Sequence, residues 1–191
     1  MSPWLTTPNQ LTFLRLVFVP LIVIAVIDGS YGWALGLFLA AGLSDGLDGL
    51  LARWLNQRTV LGQYLDPIAD KLLMSTMFLV LSIMHQIPWK FTVLVFSRDL
   101  SIMVICALLY ATSLVRDFRP SVFGKANTVA QVVAIFFVLL LQLNDAPWIY
   151  YARTVGLWCT FVLTLISGIH YALRTAQRIR ENTVRPAASG R

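Results

Sequence analysis

Charge is scarce in this sequence: only 13% of its 191 residues are Asp, Glu, Lys or Arg, against 58% that are hydrophobic, and the mean hydropathy is +0.72. A soluble domain carries about a quarter charged residues, so this chain has too little polar surface to face water on all sides. It is expected to be all-α and embedded in a bilayer as a single bundle. Cysteine and histidine are scarcer still, at two each. Cys106 and Cys159 fall inside apolar runs, where a thiol behaves as a small hydrophobe, so a disulfide framework and a zinc-type ligand set are excluded. His85 and His170 lie near the ends of apolar runs and are read as interface or packing residues. The first apolar run lacks the basic leader and small-residue cleavage site of a secretory signal, and is expected to be retained as a helix. Basic residues outnumber acidic ones, giving a net charge of +6, but they are scattered between apolar runs and form no stripe. That excludes a nucleic-acid surface and points to membrane orientation instead.

What is present in abundance is apolar sequence of bilayer-spanning length. Six segments, about 11–27, 33–55, 61–84, 91–111, 126–143 and 154–173, predict a polytopic bundle of six transmembrane helices. Turn-forming residues separate them, as at Asp28-Gly29-Ser30, Ile87-Pro88 and Asn144-Asp145-Ala146-Pro147. Residues 1–10, with Trp4 and Pro8, form a short N-terminal interfacial segment in this reading. Residues 1–181 make one membrane domain and 182–191 a polar tail. Arg53, Arg58, Arg116, Arg119, Lys125, Arg174, Arg178, Arg180, Arg185 and Arg191 fall on one side of such a bundle and only Lys90 and Arg153 on the other. By the positive-inside rule both termini are expected in the cytoplasm.

Against this background the acids stand out. Of nine Asp and Glu, four (Asp45, Asp48, Asp66 and Asp70) lie in or at the ends of the second and third apolar segments. Each costs about 2.5–3.5 kcal/mol at a span centre, so the four together forfeit on the order of 10 kcal/mol unless counter-ions compensate them. Asp45, Asp48, Gly49 and Ala52 share one helical face, and Gly62, Asp66 and Asp70 another. The link between the segments is short, which predicts antiparallel neighbours with all four carboxylates gathered near the cytoplasmic end. Hard oxygen donors without His or Cys suit Mg²⁺ or Mn²⁺, with Ca²⁺ also compatible, and four can hold a two-metal site fit for a pyrophosphate. The small residues let a ligand approach the backbone, and Arg53 can pair with a phosphate oxygen. A lone intramembrane Asp is often half of a structural ion pair, and intramembrane glycines are often packing contacts; four clustered carboxylates are poorly explained that way.

The string Asp45-Gly46-Leu47-Asp48-Gly49-Leu50-Leu51-Ala52-Arg53, then Gly62, Asp66 and Asp70 at intervals of four, resembles the signature of the CDP-alcohol phosphatidyltransferases, with every signature position filled. The likeness extends to Pro8-Asn9-Gln10-Leu11-Thr12 with Arg15, to Ser97-Arg98-Asp99, and to Gly124-Lys125-Ala126-Asn127-Thr128 with Gln131. It implies a six-helix, homodimeric membrane enzyme with a cavity open to the cytoplasm. Asp45, Asp48, Asp66 and Asp70 would bind the metals, and Asp70 would act as catalytic base. Gly49, Ala52, Arg53, Gly62, Asn9, Thr12 and Arg15 would bind CDP-diacylglycerol. Arg98 and Lys125, with Arg116 and Arg119 nearby, would receive the acceptor, and CMP would leave.

The reading adopted is a phosphatidylglycerophosphate synthase using glycerol 3-phosphate. The alternative is a cardiolipin synthase using phosphatidylglycerol, because Asp99 and Asn127 stand where the former usually carries Glu and a second Lys. Inositol phosphate and serine acceptors rank lower. From other classes, an ion transporter or channel, or a scaffold with a structural metal, fits less well: the acids cluster near one membrane face, and no inverted repeat is visible. The chain's size without a targeting extension suits a bacterial inner membrane.

Overall fold

The computed structural model describes the backbone of residues 7–54, 60–111 and 122–184, and the side chains of residues 14–44, 69–101, 103–104, 124–170 and 173. Six helices and no strands occur among the described residues: α1 (Thr7–Ile27), α2 (Tyr31–Trp54), α3 (Val60–Ile83), α4 (Trp89–Ala111), α5 (Val122–Leu141) and α6 (Pro147–Val184). They follow the expected segments with modest extensions. α1 already starts within the segment expected at the interface, and residues 1–6 lie outside the described set. α6 runs 38 residues, about 57 Å at 1.5 Å per residue, and takes in the first residues of the expected polar tail.

Two helix ends use the same stop. After α1, Ser30 N–H donates to Ala25 O and Gly29 N–H to Val26 O; after α3, Gln86 N–H donates to Leu81 O and His85 N–H to Ser82 O. This pair of bonds caps otherwise orphaned carbonyls and requires a left-handed residue in the middle. Gly29 takes φ 71° without strain, whereas His85 takes φ 58° with a Cβ in the way.

Among the described residues the helices close into a ring in the order α1, α2, α5, α6, α4, α3 and back to α1, with α3 also touching α5 across the middle. α1 thus sits between α2 and α3. A direct α2–α3 pairing is not among these contacts; the carboxylate turns through which it was expected lie outside the described side chains.

The interior is divided along its length. The late turns of α1, α3 and α5 contribute Ile22, Val26, Phe78, Leu81, Ile135 and Leu139 to an apolar core, which also holds the hydrogen-bonded hydroxyl pair Ser82 and Thr92. In the other half most buried polar side chains gather, beside Ala41, Ala69 and Leu73: Arg15, Asp99, Asn127, Gln131, Thr160, Thr164 and Ser167. The outside is apolar. Val17, Leu21 and Ile24 on α1, Val93, Phe96 and Leu100 on α4, and Val155, Val162, Ile166 and Ile169 on α6 are all exposed at helical spacing. Polar residues inside and continuous apolar stripes outside reverse the arrangement of a water-soluble bundle. Two helical stretches, Gly124–Leu141 and Pro147–His170, are long and apolar enough to cross a bilayer; Leu14–Ile27 and Tyr31–Ser44 are shorter apolar stretches. The chain is membrane-associated. At the apolar end, Lys90 Nζ lies 4.7 Å from the Trp158 ring centroid, and Arg153 donates to the Gln86 carbonyl.

Candidate active site

The expected site residues that fall on described helices belong to the polar end of the ring. Asp45, Asp48, Gly49, Ala52 and Arg53 occupy the last turns of α2, and Gly62 and Asp66 the first turns of α3. Asn9 and Thr12 open α1. The side chains of these nine lie outside the described residues, and Arg116 and Arg119 lie outside the described backbone. Because three residues join α1 to α2, the two helices run antiparallel, and the end of α2 lies at the level where α1 begins. Arg15, two turns into α1, is wholly buried, Asp70 on α3 is half-buried, and Lys125 on the first turn of α5 is exposed.

No cluster of three or more metal-ligating side chains occurs among the described residues, which include only Asp70 of the four carboxylates. The donor set itself fits a hard divalent cation: four carboxylates on the last turns of α2 and the first turns of α3, with no imidazole or thiolate among them.

Next to Asp70 begins the best-defined polar network. Lys71 Nζ donates to both carboxylate oxygens of Asp99, at 3.0 and 3.1 Å. Arg98 Nη1 donates to Asp99 Oδ1 at 2.6 Å, and Arg98 Nη2 to Ser167 Oγ at 2.6 Å. Asp99 is buried, so its charge requires both partners. The group ties α3, α4 and α6 together and carries a net charge of +1. Arg98, expected as an acceptor ligand, is therefore partly engaged by the protein, while its Nε makes no hydrogen bond among the described residues.

About one turn before Ser167 on α6, a second polar pair joins α5 to α6. Thr164 Oγ1 donates to Asn127 Oδ1 at 2.9 Å. The two helices are antiparallel, so one turn deeper Gln131 stands at the level of Thr160. One turn deeper again, Gly156 meets Ala134: a Cβ on Gly156 would lie 3.2 Å from Ala134 Cα. Asn127 Nδ2, both carboxamide atoms of Gln131 and Thr160 Oγ1 are buried and make no hydrogen bond among the described residues. An unsatisfied buried polar group costs about 1–3 kcal/mol.

The sequence pattern alone assigns no role to Lys71, Ser167 or Thr160. The signal for the last two was present, since Thr160, Thr164 and Ser167 recur at i, i+4 and i+7 inside an otherwise apolar helix. Hydroxyls are common enough in membrane helices to be discounted there.

Comparison with known proteins points to one family. The sequence model of the CDP-alcohol phosphatidyltransferases matches residues 5–166. A human protein named cardiolipin synthase (CMP-forming) is 34% identical over 205 residues, covering 94% of this chain and 65% of the relative. A Mycobacterium tuberculosis protein named "Probable phosphatidylglycerophosphate synthase" is 36% identical over 181 residues, covering 90% of this chain and 82% of its own length. An Aquifex aeolicus protein named CDP-diacylglycerol--glycerol-3-phosphate 3-phosphatidyltransferase is 31% identical over 174 residues, covering 89% and 96%. The chain thus spans 65% of the length of the human and rat relatives.

Proposed function

This chain belongs to the CDP-alcohol phosphatidyltransferase family, and from that premise we propose that it transfers the phosphatidyl group of CDP-diacylglycerol to an alcohol, releasing CMP. Asp45, Asp48, Asp66 and Asp70 would hold two divalent cations, Mg²⁺ or Mn²⁺. When bound, such ions neutralise the pyrophosphate and the departing nucleotide. Gly49, Ala52 and Gly62 leave space for the nucleotide end, Arg53 pairs with a phosphate oxygen, and Asn9, Thr12 and Arg15 approach from α1. Asp70 takes the proton of the acceptor hydroxyl as its oxygen attacks the phosphorus bearing diacylglycerol, and the bond from that phosphorus to the oxygen shared with CMP breaks.

The observation that carries this reading is the continuity from Asp70 to Lys71, Asp99, Arg98 and Ser167. It joins the helix bearing the base to a basic group suited to an anionic acceptor. Our preferred acceptor is glycerol 3-phosphate, whose dianionic phosphate would be met by Arg98 and Lys125, with Arg116 and Arg119 close in sequence. A second reading, phosphatidylglycerol as acceptor and cardiolipin as product, is favoured by one observation: Asp99 takes up both Lys71 and Arg98, leaving net charge enough for a monoanion.

The reading includes a six-span homodimer with residues 1–181 as its domain, an interfacial N-terminal segment and a polar tail from 182. Both termini and the site face the cytoplasm of a bacterial inner membrane. The polar end of the bundle and the exposed apolar stripes support this arrangement. The test is CMP release by purified protein with CDP-diacylglycerol and Mg²⁺, offering each acceptor separately. Release with glycerol 3-phosphate alone supports the preferred acceptor, and release with phosphatidylglycerol alone the second. Absence of release across a panel of alcohols overturns the transferase reading.

A further inference from the structure

The seam between α5 and α6 holds more buried hydrogen-bonding capacity than the described residues use. Asn127 keeps its Nδ2 unpaired after accepting from Thr164, and the Gln131 carboxamide and Thr160 hydroxyl make no hydrogen bond among the described residues. Asn127, Gln131 and Thr160 are all fully buried. Asn127 with Thr164 and Ala134 against Gly156 set an antiparallel register that puts Gln131 at the level of Thr160 between them. At that last step the backbones come too close to admit anything between them. At the other end stands Arg98, bonded to Ser167 and with its Nε unused. The seam is therefore closed on the apolar side and leads toward Arg98 of the candidate acceptor site on the other.

We propose that Gln131, Asn127 and Thr160 form a binding subsite for a neutral hydroxyl group. The donors and acceptors define the ligand. A carboxamide offers one strong acceptor and one NH₂ donor, so a group that both donates and accepts satisfies it. An anion would leave Gln131 Oε1 facing negative charge, and a cation would meet Nε2, Asn127 Nδ2 and the Arg98 guanidinium. A hydroxyl answers both sides. Its source is either a non-reacting hydroxyl of the acceptor's glycerol unit or a resident water. The first source rests on the phosphatidyltransferase reading above; the second does not.

Two measurements on the full-length protein in nanodiscs separate the cases. In the first, CMP release is followed with glycerol 3-phosphate and with 3-hydroxypropyl phosphate, which keeps the reacting hydroxyl and lacks the secondary one. If the acceptor hydroxyl binds in the seam, the deoxy analogue has a KM about tenfold higher in the wild type. Gln131→Met raises the glycerol 3-phosphate KM by a similar factor, removes the discrimination, and leaves the KM for CDP-diacylglycerol unchanged. In the second, the Gln131 side-chain NH₂ of the isotopically labelled wild type is examined for magnetisation transfer to water. A cross-peak with unchanged acceptor KM assigns the subsite to a resident water. Neither a KM effect nor a cross-peak overturns the proposal. Should no alcohol support CMP release, the transferase reading fails on its own, and the water measurement alone then decides the subsite.

Discussion

Lys71 and Asp99, 28 positions apart in sequence, meet through both carboxylate oxygens of Asp99, and the same carboxylate holds Arg98. One buried anion thus sets how much positive charge Lys71 and Arg98 present to an acceptor. Asp99→Asn raises the local charge from +1 to +2. It is expected to improve kcat/KM for dianionic glycerol 3-phosphate relative to phosphatidylglycerol by roughly tenfold, the equivalent of about 1.4 kcal/mol. Loss of a buried ion-pair partner also lowers the thermal midpoint. Competition kinetics with both acceptors check this; an unchanged ratio would mean that the network only braces α3 against α4.

Asp70→Asn removes a proton acceptor while keeping shape and most polar contacts. CMP release is expected to fall by about 10²–10⁴-fold, the usual range for loss of a general base, with little change in the thermal midpoint. Chelation of divalent ions in the wild type should abolish release, and Mg²⁺ or Mn²⁺ should restore it. A variant that loses activity only in proportion to its unfolding would show Asp70 to be structural.

Much of this was legible in the sequence, and for identifiable reasons. Helix count and order follow from runs of apolar residues whose length a bilayer dictates. The four acids announce themselves because charge is so costly in such runs. What was not legible depends on which helices become neighbours. Nothing in the local pattern says that α1 lies between α2 and α3, or that Arg98 reaches Ser167 on α6. Nor does it say that Gln131 stands opposite Thr160, because helical periodicity fixes a face and leaves its partner open.

The two helix stops offer a stability test remote from the site. His85 holds φ 58° where Gly29, in the equivalent motif, holds φ 71°. Replacing His85 with Gly removes the steric cost of a left-handed L-residue, about 1 kcal/mol. His85→Gly is expected to raise the thermal midpoint by a few degrees and to leave CMP release unaltered. Gly29→Ala should move the midpoint the other way. A fall on His85→Gly would mean that the imidazole makes contacts worth more than the strain it bears.

The α5–α6 contact at Gly156 is the tightest glycine approach described: an added Cβ would lie 3.2 Å from Ala134 Cα and 3.5 Å from Ala134 Cβ. Ala134 Cα is backbone, so the helices themselves must part by a few tenths of an ångström to admit even Ala. A larger side chain must push them further. Gly156→Ala is therefore expected to cost about 1 kcal/mol, and Gly156→Leu about 3 kcal/mol or more. Parting the helices there also shifts Thr160 away from Gln131 and, through Thr164 and Ser167, disturbs Arg98. Gly156→Ala should consequently raise the acceptor KM more than that for CDP-diacylglycerol, although residue 156 lies about 16 Å along α6 from Ser167 at 1.5 Å per residue. Equal changes in both KM values would mean that the helices part without altering the seam, and that Gly156 serves packing alone.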